Sequence, residues 1–322
     1  MLTDSNSSFS MPSTFLLIGI PGLEGGTLWI SISFGIIYIL GILCNCTILY
    51  VLITEKSLHG PMYFFLSMLA MNEVALSSTT MPKLLGVLWF GAHQILAVCC
   101  LTQMFFVHLL SGFESGILTA MAYDRFIAIC YPLRYVSILT NVILGKIATV
   151  IVVRAIVIIL PLPIMTGRLQ YCTKNVVYHS YCDHMAVVKV ACGDIQFNNV
   201  YGLVVSLSII GFDLMFVILS YVMILRAVYK LPTREARRKA LGTCGSHISV
   251  IFIAAVPIVF DFVAYRVVEN TVSLSLQVFC ANIYILIPSL LNPIIYGLKT
   301  KQIREQLLRT PRPKTVTFKN LQ

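Results

Sequence analysis

A chain of 322 residues with 58% apolar and only 11% charged side chains cannot cover a water-facing surface, since soluble domains carry about 25% charged and roughly 45–50% apolar residues. This excludes a soluble enzyme, a disordered protein and a conventional nucleic-acid-binding domain, and the mean hydropathy of +0.87 makes lipid the solvent for most of the chain. The net charge of +10 comes from 23 basic and 13 acidic residues, with no Lys or Arg before Lys56; bases gathered into a few loops are a topology signal rather than a nucleic-acid footprint.

The first residues, Met1–Pro12, carry no basic run, so no cleaved signal peptide is expected. Asn6-Ser7-Ser8 has the form of a glycosylation acceptor. Seven segments then reach the length of about 20 mostly apolar residues that spans a bilayer. They lie near Trp29–Ile53, Pro61–Met81, Ile95–Ile129, Val142–Met165, Tyr201–Tyr229, Ala240–Ala264 and Ser273–Leu298. Pro161, Pro163 and Pro257 predict kinks in the fourth and sixth spans.

The fold class expected is therefore an all-α membrane protein, a seven-transmembrane helix bundle. Residues 1–28 form an outer arm, 29–298 the bundle with a long outer loop at 167–199, and 299–322 a basic tail. Within the tail, Ile303, Leu307 and Leu308 share one face of Lys299–Arg309, which predicts a short amphipathic helix on the inner leaflet before Pro311. The plainer reading is a solvated basic tail drawn to acidic lipid.

With the N-terminus outside, 17 basic residues fall on the cytoplasmic side and five outside, with Arg154 inside the fourth span. That bias favours an N-out, C-in chain. Ten cysteines are present. Cys99, Cys100, Cys172, Cys182 and Cys192 fall outside, where disulfides persist. Spacing alone leaves their connectivity open.

Ionisable groups inside a membrane are costly and default to function. Glu73 and Glu114 sit at similar depth in the second and third spans. Two facing carboxylates repel unless a cation or proton bridges them, so a sodium or proton site is one reading. A hydrogen-bonded polar core with one neutral acid is the other. Arg154 has two candidate partners, Glu114 and Asp213. His108 lies in the outer half of the third span, where a histidine is more often a satisfied polar residue than a ligand contact. Arg266, at the outer end of the sixth span, can offer a bidentate fork to a carboxylate or contact a lipid headgroup.

Five motifs point further. Met121-Ala122-Tyr123-Asp124-Arg125-Phe126-Ile127-Ala128-Ile129-Cys130 resembles the MAYDRYVAIC signature of vertebrate olfactory receptors. Pro61-Met62-Tyr63-Phe64-Phe65-Leu66 resembles their PMYFFL, and Ser220-Tyr221 their SY. Lys239-Ala240-Leu241-Gly242-Thr243-Cys244-Gly245-Ser246-His247 is similar to KAFSTCGSH, and Leu291-Asn292-Pro293-Ile294-Ile295-Tyr296 to the NPxxY end of the seventh helix. The loop segment His179–Lys189 and the tail segment Lys301–Glu305 resemble the class I, fish-like, branch. The resemblance covers nearly the whole chain.

The resemblance implies a rhodopsin-like G-protein-coupled receptor in the plasma membrane, in sensory cilia if olfactory, and no enzyme. It implies a small carboxylic-acid odorant held by Arg266, in a slot lined by His108, Met104, Gly202, Ser206, Phe262 and Val259. It implies bridges pairing Cys100 with Cys182 and Cys172 with Cys192, leaving Cys99 free. Asp124, Arg125, Tyr221, His247 and Tyr296 become cytoplasmic switch residues for a heterotrimeric stimulatory, olfactory-type G protein that raises cyclic AMP. Glu73, Glu114 and Asn292 become a cation or proton site, with sodium the possible bound ion and no other cofactor. Two departures stand out: Glu73 where the family usually has Asp, and Ala255 where an aromatic residue is usual. A non-olfactory chemosensor of the same fold is the rival. A transporter lacks paired broken helices here, a channel a filter or charge ring, and an intramembrane hydrolase a nucleophile–base pair.

Overall fold

The computed structural model describes residues 11–22, 27–172, 174–266 and 273–308, without the side chains of 27, 239, 243, 257, 258 and 260–266. In chain order its elements are β1 (Thr14–Leu17), α1 (Thr27–Thr54), a 3-10 turn at Lys56–Leu58, α2 (Pro61–Phe90), β2 (Gln94–Leu96), α3 (Ala97–Cys130), a second 3-10 turn at Pro132–Arg134, α4 (Tyr135–Ile138), α5 (Asn141–Ile159) and α6 (Pro161–Gly167). There follow β3 (Val176–Val177), α7 (His184–Val188), α8 (Gln196–Tyr229), α9 (Arg234–Arg266), α10 (Leu274–Lys299) and α11 (Lys301–Leu308).

Six of the described helical stretches are long and apolar enough to cross a membrane: α1, α3, α5 with α6, α8, α9 and α10. The remaining long helix, α2, has 30 residues but dilutes its apolar run with Asn72-Glu73, Ser77–Thr80 and Lys83. Those polar residues are tolerable because α2 turns most of them inward: Asn72, Glu73, Ser77 and Thr80 are buried. Large apolar side chains such as Ile36, Leu43, Val150 and Phe212 are exposed. On a soluble protein so much exposed apolar surface would mark an interaction or aggregation site; on a helix bundle it is the face presented to lipid.

Local chemistry sets the helix ends. Pro61 opens α2, where its missing N–H would have no partner anyway. Gly91 closes α2 with φ 62°; its N–H reaches back to Val87 O and the Ala92 N–H to Gly86 O. Thr140 and Ser273 cap α5 and α10 through their hydroxyls. Pro161 cannot donate into the helix, so the fourth span breaks at Leu160 and restarts as α6.

The bundle packs around α3, against which α2, α5, α6, α8 and α9 all lie. Its cytoplasmic half is filled by Phe65, Leu69, Ile117, Met121 and Tyr296, its outer half by Phe34, Met81, Leu84 and Leu286. Helices α1 and α10 touch backbone to backbone at Gly41, where an added Cβ would stand 2.5 Å from Ser289 Oγ. That approach lets Asn45 Nδ2 donate to Ser289 O at 2.7 Å. Beyond α10, Ile303 of α11 is buried while Leu307 and Leu308 are exposed.

A three-stranded sheet in the order β2-β1-β3 covers the outer end, with Thr14 opposite Leu96 in the antiparallel pair and Leu16 beside Val176 in the parallel one. Sequence reading did not anticipate it, because strands of two to four residues carry too few positions for an alternating pattern. Cys100–Cys182 and Cys172–Cys192 are the disulfides, and Cys99 is free and exposed. Asn6 lies outside the described residues.

Candidate functional site

Under the disulfide-held loop, a cavity of about 190 Å³ opens between α3, α5, α6, α8 and the segment from Tyr181 to Met185. From α3 it takes His108, Ser111, Gly112 and Ser115, positions i, i+3, i+4 and i+7 that share one helical face. From α8 it takes Gly202 and Ser206, whose hydroxyl donates to Gly202 O at 2.8 Å. The cavity exceeds the ~150 Å³ of an engineered void that takes up benzene, so it is large enough for a small organic molecule.

The loop that roofs the cavity is fixed from below. Gln103 donates to Thr79 O at 2.8 Å and accepts from Cys182 N–H at 2.9 Å. Asp183 caps α7, accepting from Met185 N–H at 3.0 Å and Ala186 N–H at 3.3 Å. His108 Nε2 accepts from His184 N–H at 3.4 Å and lies 3.7 Å from Asp183 Oδ1. Burial penalises the Asp183 carboxylate, but His108, His179 and His184 and the Ala186 N–H outweigh it and hold its pKa below the usual range. Burial lowers the pKa of His179, against the pull of Asp183.

The expected slot residues separate. His108, Gly202 and Ser206 line the cavity. Met104, one turn further out, is instead wholly buried in the outer cluster with Cys100, Cys182 and Tyr171, because the anchored loop covers that turn. Val259 lines a second chamber of about 80 Å³ deeper in the bundle. Arg266 ends α9, and its side chain and that of Phe262 lie outside the described residues. Sequence reading missed Ser111, Gly112, Asp183 and Tyr284. The spacing of Ser111 and Gly112 from His108, i+3 and i+4, carried the signal for the first two.

Of Arg154's two candidate partners, Asp213 is the one it meets. Nη1 lies 2.5 Å from Oδ1 and Nη2 2.8 Å from Oδ2, a bidentate pair joined by Ser115 Oγ at 2.6 Å from Oδ2. Glu114 instead accepts from Tyr284 OH at 3.4 Å. Glu73 accepts from Asn292 Nδ2. Glu73 Oε2, Glu114 Oε1, Asn292 Oδ1 and Ser289 Oγ are buried without a hydrogen-bond partner among the described residues. Among the described residues no cluster of three or more His, Cys, Asp or Glu could hold a metal. Two carboxylates with amide and hydroxyl oxygens are, however, the hard donor set that suits a small cation such as sodium.

At the cytoplasmic end, Asp124 Oδ2 accepts from Arg125 Nε at 2.9 Å and Nη2 at 2.5 Å, and Oδ1 accepts from Tyr135 OH at 2.7 Å. Tyr221 OH lies 2.7 Å from His247 Nδ1. Tyr296 is fully buried, and its OH and His247 Nε2 have no hydrogen-bond partner among the described residues. Such unspent polar atoms around a pinned arginine suit an end that changes its pairing between two states.

Comparison with known proteins agrees with this geometry. A family model described as olfactory receptor matches residues 34–312. Human (Homo sapiens) olfactory receptor 52K1 is 49% identical over 304 residues, covering 94% of this chain and 96% of the relative. Human olfactory receptor 52P1 is 49% identical over 298 residues, 92% of each chain, and human olfactory receptor 51G2 is 46% identical over 302 residues, 94% and 96%. A roofed cavity for a small molecule, a bundle with a lipid-facing surface and a polar cytoplasmic end thus sit in a chain that belongs to the olfactory receptor family, the odorant-sensing G-protein-coupled receptors of the plasma membrane, which are not enzymes.

Proposed function

We propose that this receptor detects small carboxylic acids and answers through a stimulatory G protein that raises cyclic AMP. The observation that carries the ligand reading is the roofed cavity, with polar groups from His108, Asp183 and Ser206 beside aliphatic walls from Val205, Ile209 and Ile210. An amphiphile with one polar end fits such a lining. Arg266, at the outer end of α9, supplies the cation for the acid group. Asp183 is already spent on its cap and on the neighbouring histidines, so it does not call for a cationic ligand.

The mechanism is a population shift rather than chemistry. A ligand bound between α3, α8 and α9 favours the state in which the outer end of α9 leans inward and its cytoplasmic end, with the basic run Arg234–Lys239, swings out. Asp124 then releases Arg125, and the Tyr221, His247 and Tyr296 side chains re-pair to hold the open end. Glu73, Glu114 and Asn292 would hold a sodium ion in the closed state, where its charge offsets their repulsion.

The test is cyclic AMP in cells given straight-chain carboxylic acids, with Arg266→Ala alongside and surface expression measured for both. A wild-type response lost in the variant at equal surface level supports the reading. An undiminished variant response removes Arg266 as the anchor, and silence of a well-expressed receptor to every acid removes the ligand class.

A further inference from the structure

The second chamber, of about 80 Å³, lies between α3, α8 and α9. It shares two wall residues, Ser115 and Ile210, with the outer cavity. Ser115 is small and held to Asp213, and Ile210 is an aliphatic side chain with alternative rotamers, so the two spaces adjoin across a small and an aliphatic side chain. Its lining is mostly aliphatic, including Leu118, Leu214, Ile251 and Val259, and between the last two α9 presents just a methyl group at each of Ala254 and Ala255. Any larger side chain at Ala255 would project into this space.

The chamber's two acids set the direction in which a ligand enters. Glu114 and Asp213 both line it, and the charge of Asp213 is already matched by Arg154. A carboxylate pushed to this depth would meet two acids and no free cation among the described lining residues. An alkyl end meets aliphatic walls. At less than half the volume of the outer cavity, the chamber admits the end of a chain rather than a ring.

We propose that Ala255 opens a tail chamber below the ligand cavity, so that this receptor accepts acids whose alkyl chains pass Ser115 and Ile210 and end beside Ala255, making position 255 the determinant of chain length. This rests on the acid-binding reading above and deepens it. Each methylene that loses its place in the chamber weakens a ligand by about fourfold.

The experiment compares wild type, Ala255→Val and Ala255→Phe at matched surface expression, with acids from butanoic to decanoic. The expected result is a preferred length that shortens in the order Ala, Val, Phe, with about a fourfold loss of potency per excluded methylene and butanoic acid unchanged. An equal loss at every length overturns the proposal. A second measurement needs no agonist: Ala255→Cys and Ser206→Cys are each treated with a small methanethiosulfonate reagent from outside, above the wild-type background. Labelling at both positions supports a continuous chamber. Labelling at Ser206→Cys alone overturns it, whether or not any acid activates the receptor. Continuous labelling with silence to all acids would strike the acid reading and leave the chamber standing for another amphiphile.

Discussion

The Arg154–Asp213 pair is the sharpest place to perturb the bundle. It ties α5 to α8, and its side chains are 22% and 5% exposed. Asp213→Asn keeps the shape and removes the charge, stranding the guanidinium. Breaking one partner of a buried pair costs about 3–5 kcal/mol. Arg154→Met strands the deeper Asp213 carboxylate, whose only other hydrogen-bond donor among the described residues is Ser115, and belongs at the upper end of that range. The double variant Arg154→Met with Asp213→Leu removes both charges and should sit within about 1 kcal/mol of wild type, since replacing a buried pair by apolar groups is often neutral. Detergent-purified protein, followed by a thiol-reactive dye at the buried free Cys244, reports unfolding. Each single variant should melt roughly 5–10 °C lower and the double variant near wild type. Additive losses, with the double variant the least stable of the three, would refute the account of the pair as mutually compensating charges.

Three further outcomes concern the acid pair, the cytoplasmic end and the outer loop. If Glu73, Glu114 and Asn292 hold sodium, wild type should melt higher in sodium chloride than in choline chloride, and Glu114→Gln should erase the difference; equal melting of wild type in both salts counts against the ion. Asp124→Asn removes the negative charge and turns one of the two oxygens that accept from Arg125 and Tyr135 into an N–H donor, so basal cyclic AMP should rise severalfold at matched surface level, and an unchanged basal signal would deny the pinning role. Because burial lowers the folded-state pKa of His179 below about 6.5, the unfolded chain takes up its proton first as pH falls. The stability this group protects is present above about pH 6.5 and is lost as pH drops towards its folded value. Melting temperature should therefore decline between about pH 7 and about pH 5, and His179→Gln should make that decline shallower; an identical slope in the variant would place the effect elsewhere.

The spans were legible because lipid demands long apolar runs, and only α2 strained that signal by carrying its polar residues on the inward face. The partner of Arg154 was not legible. Depth along a helix can be read from position, but the angle at which α3 and α8 turn their acids is fixed by packing, and that alone separates Asp213 from Glu114. Met104 shows the same limit from the other side. It lies four residues before His108 on the same face, yet the loop pinned at Cys100 covers it and leaves His108 to the cavity. The deep chamber could be suspected from Ala255, but its shared wall at Ser115 and Ile210 needed three helices in place.

The small outer sheet has a consequence for how the chain is made. Its central strand, β1, leaves the ribosome first, yet its neighbours β2 and β3 come roughly 80 and 160 residues later. With synthesis at about 5–20 residues per second, β1 waits unpaired for several seconds or longer. The parallel pairing with β3 can form only once the first four spans have crossed. The segment Thr14–Leu17 is therefore a clock for assembly: its backbone becomes protected from exchange or from a protease only in molecules whose outer loop has arrived, which separates chains that have passed the fourth span from those stalled before it.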